Sequence, residues 1–457
     1  MTQTVGLLAH GIGGIRDLPV PTWLFLWGGA VVLVISFLML GVLWRRPQLE
    51  RRSEGASLPE GLARGLESTF LRVVLGTISA ALLVLVFLTA LLGEPSSAEN
   101  LAPTFVYVLF WLGVVALQVV LGNVWPVLNP WLAFADAVAW LWRRLGHEWT
   151  PPLAYAARLG IYPAAALLFA FVALELTYPD PASPRALALA IALYSYATWF
   201  GMAAYGRRTW SEHGEAFTVY FGLLARIAPF GRRDDGRLVA RLPLTGLAGG
   251  DPRPGVLALI AVMLGSVGFD GLSRATFWQN LRARVEGPYV LDSPGTADLL
   301  GMLLGLAGLL ACIGIVCVAY LVAVRVAAAV AGGERSFVED FLPSLVPIAL
   351  VYAVAHYFTL LLIQGQYGLP LASDPFGYGW DVLGAADFQP NLAPLSPNTV
   401  WYVQVGALVA GHAAGLAVAH DRSLAILPAH QALRSQYPLL VLMVAYTMGG
   451  LWLLSRE

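Results

Sequence analysis

Ten apolar runs, each close to the length of one membrane crossing, constrain this chain more than any other feature. They occupy roughly 22–44, 70–93, 103–122, 155–177, 184–206, 255–272, 298–325, 341–364, 398–419 and 436–454. A helix needs about 20 apolar residues to cross a ~30 Å hydrocarbon core. In lipid the backbone must satisfy its own hydrogen bonds, so each run is read as a helix. The expected fold class is all-α, a polytopic helical membrane bundle of about ten transmembrane helices in one integral domain over residues 1–457. Composition fits: charged residues make up 12% of the chain, against about 25% in soluble domains.

Charge excludes several functions. The net charge is −1, which gives no electrostatic ground for binding nucleic acid. All 27 basic residues are Arg. A Schiff-base lysine, a P-loop lysine and a lysine general base are therefore absent. Cys312 and Cys317 lie five residues apart in one run. That spacing points them to different helix faces, so they read as small apolar fillers rather than a disulfide.

Arginine placement predicts topology. Segments 45–69, 123–154, 207–254, 326–340 and 420–435 together hold eighteen Arg. The alternate set holds five: Arg16, Arg274, Arg282, Arg284 and Arg456. Strict alternation places both termini outside a bacterial cytoplasmic (inner) membrane, with 207–254 as an Arg-rich cytoplasmic loop and 365–397 as an external loop. Two aromatic segments, Trp131 to Trp142 and Gly214 to Gly231, are too short to span. They are read as interfacial or re-entrant helices. Residues 1–19 lack the charged and apolar regions of a signal peptide, although Ala9-His10-Gly11 resembles a cleavage junction. Gly301/Gly305 and Gly411/Gly415 are small-xxx-small pairs that let helices approach closely.

Ionisable groups inside lipid are costly and default to functional candidates. The outer half of the bundle collects Glu175, Asp270, His356, Gln364 and Gln404, with His356 about 12 Å and Gln404 about 9 Å below the outer ends of their spans at 1.5 Å per residue. His412 lies deeper, and His420, His430 and His147 are read as solvated. The external side adds His10, Asp17, Asp374, Asp381 and Asp387, and loop 365–397 has the length of a lid. His356, Asp270 and Glu175 are the candidate catalytic groups. Gln364, Gln404 and His412 are candidate binding groups. His356, His412 and Asp270 form a candidate set for a divalent metal, since His with carboxylate suits zinc, iron or manganese. The competing reading has each of these residues hydrogen-bonding a neighbouring helix.

The segments AHGIGGIRDLPVPTWLF, NVWPVLNPW, GSVGFDGL and WYVQVGALVAGHAAGLAVAHDR resemble those of a bacterial, largely actinobacterial, group of multi-pass proteins labelled fenitrothion hydrolase. The resemblance covers most of the chain. It implies hydrolysis of an organophosphate ester by a membrane-associated enzyme, and it transfers no catalytic residue. Phosphotriester hydrolysis usually uses a metal-activated water. Three expectations therefore stand together: a membrane hydrolase with an outward-facing polar pocket, a transporter or permease for a small molecule or ion, and a non-catalytic subunit of a larger metal or redox complex. The partners expected are the lipid bilayer and, for the last reading, other membrane subunits.

Overall fold

The computed structural model describes residues 22–333 and 336–454. His10, Arg16, Asp17, Arg335 and Arg456 lie outside the described residues. Ten long helices build an all-α bundle: α1 Thr22–Leu43, α2 Thr69–Leu92, α3 from Leu101 to Leu121, α4 Tyr162–Thr177, α5 Pro184–Tyr205, α6 Val256–Arg274, α7 Pro294–Val330, α8 Leu345–Gln364, α9 Pro397–Ile426 and α10 Tyr437–Leu454. Nine of these helical stretches are, among the described residues, long and apolar enough to cross a membrane. The protein is an integral, multi-pass membrane protein.

Local sequence sets the helix ends. Ser68 accepts a hydrogen bond from Leu71 N at 3.2 Å, and Ser396 does the same for Thr399 N. Each satisfies a donor that has no intrahelical partner. Proline occupies the first helical position of α5, α7 and α9, where its missing N–H costs nothing. At the end of α3, Gly122 takes φ +85°, and a Cβ there would lie 2.5 Å from Phe230 O. Only glycine fits that exit.

Burial runs opposite to that of a soluble protein. Large apolar side chains of α1, α2, α5 and α7, such as Val31, Phe70, Leu193 and Ile315, are exposed, as expected where lipid is the solvent. α6 is the hub: 67% of its apolar window is buried, against 17% for α7. It packs on α4, α7 and α8. The most intimate pair is α8 with α9. A Cβ on Gly411 would lie 2.1 Å from Val351, and one on Gly415 would lie 2.6 Å from Ser344 O, so both glycines serve close packing.

Several segments differ from the expectation. α7 runs for 37 residues, about 55 Å at 1.5 Å per residue, well past the 298–325 run. α9 continues to Ile426 rather than stopping at 419 because the polar residues of its last turns have partners. His420 is buried, not solvated, with its ring nitrogens 3.0 Å from Gln436 Oε1 and 2.9 Å from Trp44 O. Asp421 accepts hydrogen bonds from Trp44 Nε1 and from the Gln48, Leu49 and Glu50 amides. Arg422 bridges Glu50 and Asp340. Segment 273–297 holds an exposed helix, Thr276–Glu286. α3 is interrupted by a π-helical stretch, Phe105–Gly113.

Of the two expected placements, interfacial or re-entrant, the segment from Ala216 takes one inside the bundle. The short helix Ala216–Leu224 is buried almost throughout and packs on α3, α4 and α8. Aromatic stacking explains why it enters the bundle: Phe217 lies among Phe110, Trp131, Phe171 and Tyr194. Its start is capped by the fully buried Glu215, which accepts from the Phe217 amide at 3.0 Å and the Thr218 amide at 2.7 Å, as well as from Asn129 Nδ2 and the Tyr194 hydroxyl. Helix Pro130–Arg144 begins buried and ends exposed.

The loops group into two ends of the bundle. A three-stranded antiparallel sheet joins β1 Ala56–Ser57, β2 Phe230–Arg232 and β3 Leu238–Ala240 in the order β1-β3-β2. It ties segment 45–69 to 207–254. The Asp251 amide donates to Glu339 O at 2.9 Å, and Arg207 pairs with Asp136. These segments form an Arg-rich end. At the other end Glu94 N donates to Phe376 O and Leu101 N to Pro375 O, which joins segment 94–101 to the acidic loop.

Candidate functional site

Three helices deliver polar side chains to one place near the acidic-loop end of the bundle. α6 supplies Asp270 and, one turn later, Arg274. α8 supplies His356 and Tyr357. α4 supplies Glu175. Asp270 is the centre. Its Oδ1 accepts from Arg274 Nη2 at 2.9 Å, and its Oδ2 accepts from the Tyr357 hydroxyl at 2.9 Å. His356 Nε2 lies 2.6 Å from the same Oδ2 and 3.1 Å from Arg274 Nη2. The Asp270 and His356 side chains are only 6% and 7% exposed. Such a set survives at this depth because each charge meets an opposite charge and further hydrogen bonds.

The three-way contact restricts where the proton sits. A guanidinium only donates. If Nε2 carries a hydrogen, it donates to a charged Asp270. If Nε2 is bare, it accepts from Arg274, and Asp270 must carry the proton across the 2.6 Å gap. In the first, the Arg274 and His356 donors face each other at 3.1 Å; in the second, each contact is a hydrogen bond; the two differ by one proton moved between Oδ2 and Nε2. The pair can therefore hold and hand over a proton without moving a heavy atom.

Glu175 lies within electrostatic reach of Asp270 and His356. It has no hydrogen-bond or ion-pair partner among the described residues. Instead it faces a partly open cavity of about 200 Å³ lined by α3, α4, α6, α8 and the short helix. The wall is mostly apolar, including Trp111, Val172, Met263 and Val354. Glu175, Ser266, Tyr220 and Tyr357 supply its polar atoms. The π-helical stretch of α3 contributes Trp111 and Leu112 to the same wall.

The other expected residues divide between support and separate surroundings. Gln404 Nε2 donates to Ala355 O at 2.9 Å, a cross-helix bond that fixes the turn bearing His356. Gln364 ends α8 two turns beyond His356. His412 stands apart: its Nδ1 donates to Leu408 O at 2.8 Å, and its ring packs against Tyr352 and Tyr446. The expected trio His356, Asp270 and His412 is thus not gathered. Among the described residues no group of three His, Cys, Asp or Glu is placed to hold a metal ion.

The loop acids build turns rather than a pocket. Asp374 accepts from the Tyr378 and Gly379 amides. Asp381 accepts from Ser373 Oγ at 2.8 Å and from the Ala385 and Ala386 amides. The Ser373 hydroxyl first, then those amides, hold its carboxyl below the usual range. The loop's hydrogen bonds run to segment 92–101 and to Gln366, not to the Asp270 group.

Arg274 and Tyr357 were not among the expected site residues. The signal for Arg274 was present, since Asp270 and Arg274 are spaced i,i+4 at the end of an apolar run. Tyr357 had none beyond its adjacency to His356. Comparison with known proteins gives no matching family model, no matching curated protein and no matching solved structure.

Proposed function

We propose that the protein is a membrane-embedded hydrolase for small, neutral, apolar esters, with Glu175 and the Asp270–His356 pair as its acid–base machinery. The observation that carries this reading is the meeting of Glu175, a carboxylate with no hydrogen-bond partner among the described residues, with an apolar cavity of about 200 Å³ backed by a proton-sharing pair. The lining suits an uncharged, lipid-soluble substrate. Glu175 would take a proton from the attacking water, whose oxygen bonds to the ester centre as the leaving oxygen departs. The Tyr220 hydroxyl, on the wall of the same cavity, would donate to the oxygen on which negative charge develops. The leaving oxygen would take a proton from the Asp270–His356 pair, and the proton held by Glu175 would then pass to the pair and restore both, with Arg274 offsetting the carboxylate charge. The resemblance to proteins labelled fenitrothion hydrolase points to an organophosphate ester as the first substrate to try. Charge bias puts the Arg-rich end at the cytoplasm and the catalytic cluster toward the outside.

The test is release of nitrophenolate from a neutral nitrophenyl phosphotriester by protein in nanodiscs. Glu175→Gln should cut turnover by about 100-fold or more, the scale of a lost general base, with the unfolding midpoint unchanged. A second reading, proton-coupled transport, draws on the same proton-sharing pair, since such pairs form intramembrane relays. Absence of hydrolysis, together with substrate-driven proton flux in liposomes that Asp270→Asn abolishes, would replace the hydrolase with a transporter.

A further inference from the structure

Arg241 follows β3 at the Arg-rich end, and the described residues give its guanidinium no hydrogen-bond or ion-pair partner. Its Nε is buried and unsatisfied. The group sits in a slot between two glycines. A Cβ on Gly231 would lie 2.5 Å from Arg241 Cζ, and one on Gly246 would lie 2.2 Å from Nη2. Neighbouring cations are satisfied differently. Arg226 donates to Gly246 O at 2.8 Å and to Asp251 at 3.0 Å, while Arg253 donates to both Asp251 oxygens at 2.9 and 2.7 Å. Arg226 lies within electrostatic reach of both Arg241 and Arg253. Asp251 thus serves Arg226 and Arg253, and Arg241 beside them has no carboxylate partner among the described residues. Burial also pushes the Arg241 pKa down, the direction expected of a cation that lacks an anion.

The rim of the slot is apolar. Phe230, opposite Ala240 in the sheet, is 40% exposed, and Leu242, next to Arg241, is 50% exposed. We propose that the Arg241 slot binds a phosphate group, and that the phosphate belongs to an anionic membrane phospholipid. The Nη1–Nη2 edge of a guanidinium offers parallel N–H donors that match two phosphate oxygens. The phosphate charge would offset that of the Arg241 guanidinium, which has no carboxylate partner among the described residues. Phe230 and Leu242 favour a lipid over free phosphate, because they place apolar surface where the acyl chains begin.

Native mass spectrometry of the full chain, released from nanodiscs of mixed phosphatidylglycerol and phosphatidylcholine, tests this. The wild type should retain phosphatidylglycerol in preference to phosphatidylcholine. Arg241→Gln should weaken that retention by about tenfold, the scale of a lost charge-assisted pair. Arg237→Gln removes the same charge from an exposed position and should retain lipid like the wild type. Gly231→Ala keeps Arg241 and displaces its guanidinium, so it should behave like Arg241→Gln even if that variant folds poorly. Equal retention by all four proteins overturns the site. If inorganic phosphate raises the melting temperature of delipidated wild type but not of Arg241→Gln, and phosphatidylglycerol is not preferred, the phosphate chemistry stands and the lipid assignment falls.

Discussion

Replacing Asp270 with Ala gives the sharpest test of the intramembrane cluster. The change removes the acceptor for Arg274 and Tyr357 and the partner of His356. Hydrogen bonds to a charged group are each worth about 1.5–3 kcal/mol, and breaking a buried ion pair from one side costs about 3–5 kcal/mol. The Arg274 side chain is 23% exposed, so water relieves part of the penalty, and the expected cost is near the lower figure, about 3 kcal/mol. An ordinary interhelical bond such as Gln404 to Ala355 sets the contrast, because such bonds average about 0.6 kcal/mol in membranes. Unfolding in mixed micelles by SDS titration, followed by far-ultraviolet circular dichroism, measures both. Asp270→Ala should cost several times what Gln404→Leu costs. The Asp270→Ala/Arg274→Ala double variant should fall short of the sum of the singles by at least about 1 kcal/mol, because the stranded charge goes with its partner. Additivity within about 0.5 kcal/mol, or an Asp270→Ala cost no larger than that of Gln404→Leu, would refute the reasoning.

Three further outcomes are expected. Gly411→Ala should destabilise by about 1–3 kcal/mol through overpacking against Val351, and adding Val351→Ala should recover most of it in the same titration. Asp381 has a depressed carboxyl pKa, so its contribution to loop order is complete above the ordinary aspartate value of ~3.9 and is lost as pH falls through the lower folded value. Amide exchange at Leu383, Ala385 and Ala386 should accelerate on that descent relative to unstructured amides, and Asp381→Asn should remove the pH dependence; a flat profile in the wild type refutes the assignment. In a background lacking Cys312 and Cys317, Asp387→Cys should react with an impermeant thiol reagent added outside cells and Arg237→Cys should not; the reverse labelling overturns the proposed orientation.

Sequence periodicity located the spans because lipid demands long apolar helices, and little else can supply them. The helices α7 and α9 run past the apolar stretches, and at α9 the extension is decided by partners distant in sequence. His420 reads as a solvated polar residue until Trp44 and Gln436 meet its two ring nitrogens. The same limit applied at the site. Depth counting put Asp270, His356 and Glu175 in one half of the bundle, since each lies at a countable distance from a span end. It could not give azimuth, so it could not tell that His412 turns toward Tyr352 and Tyr446 while His356 turns toward α6. The short helix from Ala216 was legible as apolar, but its burial depends on the aromatic side chains of α3, α4 and α5 that receive it.

The seam formed by α1 has a consequence for how the protein is made. α1 finds its principal partners not in α2 but in α9 and α10, and the bond from Trp44 to Asp421 spans 377 residues. At synthesis rates of about 5–20 residues per second, α1 waits roughly 20–75 s before those partners emerge. Over that interval the ribosome has delivered the central helices, while the first helix stays beside them, held by lipid alone. Assembly of this seam therefore waits for α9 and α10, and a nascent chain stalled before α9 would display α1 as an undocked helix to the membrane's quality-control proteases.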